Sequence, residues 1–204
     1  MICEDNFNSL TKRAKNYKYF SMNYIEYDAC KNARIIHNNE NLIFMLVDFF
    51  NTDLPGTMAS LQNIGTIEYL KPDEFEEVAR LSQKCRLQSR GFEGETPQWY
   101  SEWLNENSII IKRKGSKIVG FCCVSVYNKG TTLWIRELAV DPAYQRMGYG
   151  KELVEHAITY GVKDGATKGF LLADVLNKNA IGLYNKYNFY ATNDDYELQL
   201  LRKG

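Results

Sequence analysis

Histidine and proline are scarce in this sequence of 204 residues, which contains two histidines and four prolines. No Cys-x-x-Cys pair occurs among its five cysteines. His37 lies in a polar turn, and His156 falls with Glu152 and Thr159 on the polar side of a predicted helix. A zinc site usually shows paired cysteines or histidines, and a histidine-based triad needs a histidine that can reach a nucleophile, which neither of these two histidines is placed to do. The sequence therefore predicts no metal site and no triad, and it predicts a solvated His156.

An excess of charge of one sign is also missing, because 25 basic side chains balance 25 acidic ones. Proteins that bind nucleic acid usually carry a basic excess or a basic face, so this class of partner is not predicted. The longest apolar run, at residues 42–47, is too short to cross a bilayer. The first residues lack the basic and apolar regions of a signal peptide. The adjacent cysteines at 122 and 123 lie in an apolar run, which is typical of reduced, inert thiols. We expect a cytoplasmic protein with no membrane partner.

A breaker cluster at residues 51–56 divides the chain. Before it, the apolar runs 33–36 and 42–50 predict the two strands of a hairpin. After it, hydrophobic periodicity predicts the order β-α-α-β-β-β-α-β-α-β. The predicted strands cover residues 66–70, 108–112, 118–127, 131–140, 169–175 and 190–201, and the predicted helices cover 73–88, 97–104, 149–163 and 180–187. This order indicates an α+β fold with a central mixed sheet flanked by helices.

The most informative segment follows the predicted strand at residues 131–140. Asp141 and Pro142 end that strand, and Gly148 and Gly150 stand where the next helix begins. The first N–H groups of a helix lack partners and carry partial positive charge, and glycines allow a ligand to approach them closely. The segment therefore predicts a socket for a pyrophosphate, although two glycines also suit an ordinary tight turn.

Two motifs in the sequence resemble those of one known family. Gln145-x-x-Gly148-x-Gly150, preceded by Leu-Ala-Val-Asp-Pro at 138–142, is similar to the pyrophosphate-binding motif of the GNAT superfamily of N-acetyltransferases. A second segment, which begins at Asn177 and continues through an alanine, a leucine and a tyrosine, resembles a later motif of the same superfamily. One predicted helix and one predicted strand separate the two motifs, as the resemblance requires.

The resemblance covers residues 66–204 and implies a GNAT-like acyl-CoA N-acyltransferase domain there, with residues 1–65 as an N-terminal extension. It departs at Asn188, where the family usually has glycine. Asparagine tolerates the left-handed conformation better than most residues, so we expect the turn to be kept. The implied reaction transfers the acetyl group of acetyl-CoA to a primary amine by direct attack on the thioester. The implied co-substrate is acetyl-CoA, without a metal.

The resemblance also implies which residues bind the coenzyme. Backbone N–H groups after the first strand would hold the pyrophosphate, and the strand edge itself would pair with the pantetheine arm as an added strand does. One N–H of that edge would polarise the thioester carbonyl. The implied coenzyme-binding residues are Leu138, Ala139, Val140, Gln145, Arg146, Met147, Gly148, Tyr149, Gly150, Lys151, Asn177 and Tyr184.

Proton transfer requires a base and an acid. An alkylamine has a pKa near about 10.4 and must lose a proton before it attacks, and a carboxylate can remove it. Glu137, beside the predicted thioester site, is the first candidate base; strand alternation leaves open that it points away into solvent. Asp174 is the reserve. The leaving thiolate needs a proton, and the resemblance implies that Tyr184 supplies it, the alternative being a packing tyrosine.

The acceptor is less clearly indicated. The family commonly uses its first two helices to line the acceptor site, and this region is rich in carboxylates and aromatic rings, which suit a cationic amine. These residues are Asp73, Glu74, Glu76, Glu77, Glu93, Glu95, Glu102, Glu106, Phe92, Trp99, Tyr100 and Trp103. Glutamates at a helix N-terminus can equally be a solvated face favoured by the helix dipole.

Two other functions remain open in the sequence. One is a non-catalytic acyl-CoA-binding module that regulates through its N-terminal extension, and the other is a structural protein whose glycine loop is only a turn. Residues 1–65 could cover the acceptor site, mediate a homodimer or form an incomplete second copy of part of the fold. The structural protein would not bind the coenzyme, whereas the acetyltransferase and the binding module both would. Turnover then distinguishes the acetyltransferase from the binding module.

Overall fold

Strands and helices alternate along the chain in the computed structural model, which describes residues 32–36, 42–49, 65–90, 94–127, 129–192 and 197–201. The described strands are β1 (Asn32–Ile36), β2 (Leu42–Asp48), β3 (Glu68–Tyr69), β4 (Ser108–Lys114), β5 (Lys117–Tyr127), β6 (Thr132–Val140), β7 (Lys168–Asp174), β8 (Tyr190–Thr192) and β9 (Glu197–Leu201). The described α-helices are α1 (Phe75–Lys84), α2 (Pro97–Leu104), α3 (Tyr149–Lys163) and α4 (Lys178–Asn185). Short 3₁₀ turns precede α1, follow it, and follow β6.

Seven strands form one sheet in the order β3-β4-β5-β6-β7-β2-β8, and β1 pairs with β9 in a separate two-stranded sheet. Every pair in the large sheet is antiparallel except β6 with β7, which are parallel. Parallel strands need a crossover connection, and α3 provides it. The predicted α+β fold, a mixed sheet flanked by helices, is confirmed.

The predicted hairpin of residues 33–36 and 42–50 is wrong. β1 pairs with β9, and β2 instead lies between β7 and β8, antiparallel to both. The strands themselves were foreseeable from their apolar runs, but their partners are distant in sequence. Met45 and Val47 of β2 are fully buried, because β2 is an interior strand of the sheet. A boundary near residue 65 stays a prediction, although β2 lies within the same sheet as the strands that follow it.

Side chains of alternate residues in the strands point to opposite faces of the sheet and form two hydrophobic cores, one on each face. The first lies beneath α1 and α2 and includes Tyr100, Phe121 and Trp134. The second lies beneath α3 and α4 and includes Leu133 and Leu153. Each face of the sheet is thus covered by one pair of helices, which leaves the ends of the strands as the place where a ligand can enter.

The start of α2 matches the sequence prediction. The Trp99 N–H donates to Thr96 Oγ1 at 3.1 Å, and Pro97 occupies the first turn, where its missing N–H costs nothing. The helix predicted over residues 73–88 is divided instead into a 3₁₀ turn, α1 and a second 3₁₀ turn at Arg86–Gln88. That second turn carries the chain from α1 toward the end of the sheet.

Helix α3 is more deeply buried than its sequence suggests. A Cβ at Gly161 would lie 2.9 Å from the Leu133 Cβ, so the absence of a side chain lets α3 pack closely on β6. His156 is 3% exposed and neither ring nitrogen has a hydrogen-bond partner, so the predicted solvated histidine is wrong. Burial lowers the pKa of His156 and favours the neutral imidazole. Thr159 beside it is also buried, because helix and sheet enclose even the polar side of α3.

The sequence predictions for the paired cysteines and for Asn188 are confirmed. Cys122 and Cys123 are fully buried free thiols, and burial raises the pKa of both, which keeps them protonated and inert. Asn188 has a φ of 61°, so asparagine does adopt the left-handed turn. No helix in the described part of the chain is long and apolar enough to cross a membrane.

Candidate active site

Strands β6 and β7 are paired along only the first part of their length. They pair from Thr132 and Lys168 as far as Ile135 and Leu171, and no further. Arg136 is the extra residue of a bulge, since Ile135 pairs with Val124 of β5 and Glu137 with the preceding Cys123. A bulge bends its strand and increases the local twist. The last residues of β6 therefore lie against β5 on one side and an open cleft on the other.

Backbone groups of β6 point into this cleft. The Asp141 N–H donates to the Val119 carbonyl of β5 at 2.9 Å. Because backbone polar groups alternate along a strand, those of Val140 and Leu138 point the other way, toward β7. The Val140 carbonyl accepts hydrogen bonds from the Gln88 and Gln145 side chains, both at 3.1 Å. A ligand in the cleft can therefore form hydrogen bonds with the remaining groups of this edge, which are the N–H groups of Leu138 and Val140 and the Leu138 carbonyl.

The loop after β6 is tied down by Asp141, which is 1% exposed. Its carboxylate accepts the Ala143 N–H at 3.0 Å and forms ion pairs with Lys84 and Lys117. Burial acts to raise the pKa of Asp141, but these hydrogen bonds together lower it below its usual value. The ionised carboxylate fixes the direction in which the loop leaves the sheet.

Gly148 forms the N-cap of α3 with a φ of 86°, a left-handed conformation that favours glycine. A Cβ built there would have nothing within 4 Å, so the space beside the N-cap is open. Arg146, two residues earlier, is also left-handed with a φ of 62°. The loop thus presents the unpaired N–H groups of the first turn of α3 to an open volume, as an anion site requires.

A pocket of about 770 Å³ occupies the cleft and the space before α3. It is lined by Leu87, Gln88, Ser89, Arg90, Leu138, Val140, Gln145, Arg146, Gly148, Gly150, Lys151, Asp174, Leu176, Asn177, Asn179, Ala180, Leu183, Tyr184 and Lys186. Four of these side chains are cationic and one is anionic. The pocket joins an elongated strand edge, a helix N-terminus and positive charge, which suits a long ligand that carries phosphate groups.

Tyr184 of α4 lies at the wall of the pocket and is 7% exposed. Its ring packs edge-on against Phe189 at 6.0 Å between centroids, and the described part of the chain provides no hydrogen-bond partner for its hydroxyl. Burial raises its pKa, so the phenol keeps its proton at neutral pH. The side chain can therefore act as a proton donor.

The segment from Cys85 to Arg90 crosses the open end of the cleft. Gln88 is bonded to β6 through the Val140 carbonyl, and its own carbonyl accepts from Asn177 Nδ2 at 3.0 Å. Asn177 also caps α4, because its Oδ1 accepts the Ala180 N–H at 3.1 Å. Two side-chain amides thus join the ends of β6 and β7 that have no backbone pairing.

Asp174 at the end of β7 is bound by Arg90. The Arg90 side chain donates through Nε and Nη2, the latter at 2.7 Å, and the Arg90 and Leu176 N–H groups donate at 2.8 and 2.9 Å. The Arg90 hydrogen bond is the main reason why the pKa of Asp174 is lowered far below its usual value. A carboxylate so well supplied with donors is a weak base, which disfavours the reserve role predicted for it.

Glu137 lies on the opposite side of β6 from the pocket, under α1 and α2, and is 9% exposed. Ser82 Oγ donates to its carboxylate at 2.9 Å and the Tyr100 hydroxyl donates at 3.1 Å. Burial raises the pKa of Glu137 to about 7, and the charge of Arg136 acts in the opposite direction. A carboxylate that titrates near neutrality is suited to accept a proton in a reaction at neutral pH.

The sequence matches the family model described as the acetyltransferase (GNAT) family over residues 64–189. The chain belongs to this family. Acetyl transfer is the general reaction of GNAT proteins and acetyl-CoA is their co-substrate, so the protein is an acyltransferase.

Named relatives agree with the family. An uncharacterized N-acetyltransferase of Methanocaldococcus jannaschii is 28% identical over 168 residues, which cover 75% of this chain and 73% of that protein. The ribosomal protein bS18-alanine N-acetyltransferase of Escherichia coli is 33% identical over 93 residues, which cover 41% of this chain and 62% of the relative.

Solved structures share the fold. The crystal structure of Ard1 from Thermoplasma volcanium superimposes with a TM-score of 0.54 at 24% identity, over 66% of this chain and 93% of that one. The ribosomal-protein-S18-alanine N-acetyltransferase from Escherichia coli gives a TM-score of 0.52 at 23% identity, over 66% and 89%. The seven-stranded sheet described above is therefore a GNAT fold.

Most residues predicted for coenzyme binding in this GNAT protein line one pocket, and their role there stays a prediction. Those in the lining are Leu138, Val140, Gln145, Arg146, Gly148, Gly150, Lys151, Asn177 and Tyr184. Ala139 lies instead in the core beneath α1 and α2, as the strand alternation dictates. Met147 is 60% exposed, and neither its side chain nor that of Tyr149 lines the pocket. Glu137 does not line it either, although it belongs to the same strand.

Sequence reasoning missed the contribution of the segment that follows α1. Leu87, Gln88, Ser89 and Arg90 line the pocket, yet they precede the glycine motif by more than fifty positions and match no motif. Arg136 was missed as well, since a basic residue inside a strand gives no sign of a bulge. Among the described residues no group of His, Cys, Asp and Glu is placed to hold a metal ion.

Proposed function

We propose that this GNAT protein transfers the acetyl group of acetyl-CoA to a primary amine of a peptide or small molecule, by direct attack of the amine on the thioester. One observation carries the proposal. The cleft between β6 and β7 places an open strand edge, the N-terminus of α3 and the Tyr184 side chain around a single pocket. Binding alone would need the first two features, and acyl transfer also needs a proton donor.

The residues present fit the coenzyme. The first-turn N–H groups of α3, beside the open space at Gly148, would hold the pyrophosphate. Arg146, Lys151 and Lys186 add positive charge to the same pocket. The free edge at Leu138 and Val140 would pair with the amides of the pantetheine arm, and one of its N–H groups would polarise the thioester carbonyl. Bound acetyl-CoA supplies that carbonyl as the electrophile.

Two side chains would move the protons. Tyr184, protonated at neutral pH, would give its proton to the leaving thiolate from the wall of the pocket. Glu137 would take the proton of the attacking amine from the other side of β6, directly or through water. Support for Glu137 over Asp174 comes from their partners, because Arg90 holds Asp174 in a strong ion pair whereas Glu137 titrates near neutrality.

The acceptor is proposed to be an amine that approaches from the side of α1 and α2. The relative that is 33% identical acts, by its name, on an alanine of a ribosomal protein, which supports a peptide amine. A cationic acceptor has less support than the composition suggested. Glu95 forms an ion pair with Arg136, and the Trp99 ring stacks on the same guanidinium, so this carboxylate and this ring already have a cation. Phe92 and Glu93 lie outside the described residues.

The alternative is an acyl-CoA-binding module without turnover. It is favoured by the burial of Glu137, which is bonded to two hydroxyl groups inside the protein. The cytoplasmic location and the role of residues 1–65, including a homodimer, also remain proposals.

The first test is thermal unfolding with and without acetyl-CoA. Ligand at a hundred times its dissociation constant stabilises a protein by about 2.7 kcal/mol, which raises the melting temperature of a chain of this size by roughly 5 to 11 °C. A panel of peptides and small amines is then followed by release of the coenzyme thiol. We expect a shift and turnover of at least one amine. A shift without any turnover would favour the binding module, and the absence of a shift would contradict both functions.

A further inference from the structure

Arg136 is a buried cation at the point where β6 leaves β7. It is the extra residue of the β-bulge, and its side chain is 1% exposed. Burial of a charge costs free energy unless partners compensate it. If the side chain at the bulge served only to fill space in the core, an apolar residue would therefore stabilise the fold more. The partners of Arg136 therefore indicate what the charge is for.

Those partners lie on two sides of the guanidinium. The Trp99 ring lies 4.1 Å from Arg136 Cζ, a distance typical of a cation–π contact. Arg136 Nη2 lies 3.0 Å from Glu95 Oε1, and Arg136 Nη1 lies 3.9 Å from Glu137 Oε2. One cation thus faces two carboxylates, one of which is the proposed base.

The same two glutamates are joined a second time, through the carboxylate of Glu137 and the backbone of Glu95. Ser82 Oγ donates to Glu137 at 2.9 Å and accepts the Glu95 N–H at 3.1 Å. The route from Arg136 to Glu95, Ser82 and Glu137 therefore forms a closed ring, which we call the Arg136 ring. It connects the bulge, α1 and the start of α2, so each member restrains the others.

Several elements in the described part of the chain contribute titratable or polar groups around Glu137. These groups are Ser82 and Cys85 from α1, Glu95 from the segment before α2, Tyr100 from α2, Cys122 and Cys123 from β5, and Arg136 from β6. Burial raises the pKa of the three thiols and of Tyr100, so these groups stay neutral, and Glu95 repels a second negative charge. Of all these groups, Arg136 alone is a cation.

We propose that Arg136 is a positioning residue for acetyl transfer: through the Arg136 ring it fixes Glu137 beneath the acceptor side of β6, and its charge favours the ionised carboxylate. This role rests on the proposed function of Glu137 as the base. Without the cation, the buried carboxylate would hold its proton to higher pH and could no longer accept one from the amine. Arg136 itself touches neither substrate.

The test compares Arg136→Met with Arg136→Lys and with a matched control, Arg113→Met. Methionine keeps the contact with Trp99 but removes the charge. Arg113 also bridges two carboxylates, Glu68 and Glu74, at a distance from Glu137, so its loss reports general destabilisation. The measurements are acetyl-CoA affinity and the pH dependence of kcat/KM from pH 5.5 to 9.5.

We expect wild-type activity to fall on acidification near pH 7, where Glu137 titrates. In Arg136→Met this acid limb should move upward by about one pH unit or more, because an opposite charge at this distance shifts a pKa by that amount. Arg136→Lys should give a smaller shift, and Arg113→Met none. An Arg136→Met enzyme that is slower at every pH with an unmoved acid limb would overturn the proposal. If Glu137→Gln keeps the wild-type acid limb, the assignment of the base fails instead.

Unfolding provides a readout that does not need turnover. The folded-state pKa of Glu137 is raised from 4.5 to about 7, so the stability that it contributes is full below pH 4.5 and is lost as the pH rises to about 7. In Arg136→Met the loss should continue to higher pH, whereas Arg113→Met should follow the wild-type profile. Parallel profiles for all three proteins from pH 5 to 9 would contradict the proposal even if no acceptor is found.

Discussion

The two faces of β6 beyond Arg136 differ in how they are built. Leu138 and Val140 face a pocket whose polar groups are backbone N–H groups, side-chain amides and hydroxyls, four cations and the Asp174 carboxylate. Glu137 and Ala139 face a closed layer in which each charge has a specific partner. The first face can be read from glycines and a short motif, because backbone groups bind phosphate whatever the side chains are. The second face depends on side chains from four separate elements, so changes there should affect rate more than coenzyme binding.

The largest effect is expected for Glu137→Gln. Loss of a general base typically costs between about a hundredfold and ten thousandfold in rate, and we expect kcat to fall within this range while acetyl-CoA affinity stays unchanged. Steady-state kinetics and a thermal shift with acetyl-CoA measure both quantities. Glu76→Gln on the exposed side of α1 is the control. If Glu137→Gln kept the wild-type kcat, Glu137 would not be the base, and the face under α1 and α2 would have no role in the chemistry.

Tyr184→Phe should lower kcat by about a hundredfold, near the lower end of the same range, because thiolate departure can proceed in part without a donor. Tyr187→Phe is the control, since Tyr187 is buried nearby but lies outside the pocket lining. Single-turnover measurements with saturating acetyl-CoA separate this loss from weakened binding. Full turnover in Tyr184→Phe would leave Tyr184 as a packing residue.

Gly148→Ala tests the coenzyme face. The methyl group has open space, but a left-handed φ costs about 1 to 2 kcal/mol for a residue with a side chain. We therefore expect a lower melting temperature and a smaller stabilisation by acetyl-CoA. Gly182→Ala on α4, where the added Cβ also meets nothing, should not lower stability. An unchanged acetyl-CoA shift in Gly148→Ala would place the phosphate site elsewhere.

The smallest effect is expected for Arg90→Gln, which leaves Asp174 without its main partner. The pKa of Asp174 is lowered in the folded state, so its contribution to stability is present above pH 3.8 and is lost as the pH falls further. Arg90→Gln should thus be less stable than wild type at pH 7, and the difference should shrink on acidification. Arg86→Gln in the same segment is the control, and urea unfolding from about pH 1.5 to 7 is the measurement, because the difference shrinks only below the usual pKa of the carboxyl. A constant difference at all pH values would mean that Asp174 is not involved.

Sequence reasoning worked where one short segment carries the whole signal. The cap at Thr96, the strand that ends at Asp141, the glycines before α3 and the left-handed Asn188 each depend on neighbours within a few residues. Local backbone chemistry fixes such features, so the fold class and the family were predictable. The proposed coenzyme residues that line the pocket were predictable for the same reason.

Tertiary structure decided what depends on distant partners. The runs at 33–36 and 42–50 were foreseeable as strands, but only packing decided that β2 lies between β7 and β8 rather than beside β1. His156 reads as a polar-face residue until its helix is placed on the sheet. The bulge at Arg136 sets the face of β6 on which Glu137 lies, which is opposite the pocket. Arg90 binds Asp174, which lies 84 positions later in the sequence. Hydrogen bonds and charges act over a few ångströms in space, and the sequence alone does not record which distant side chains come that close.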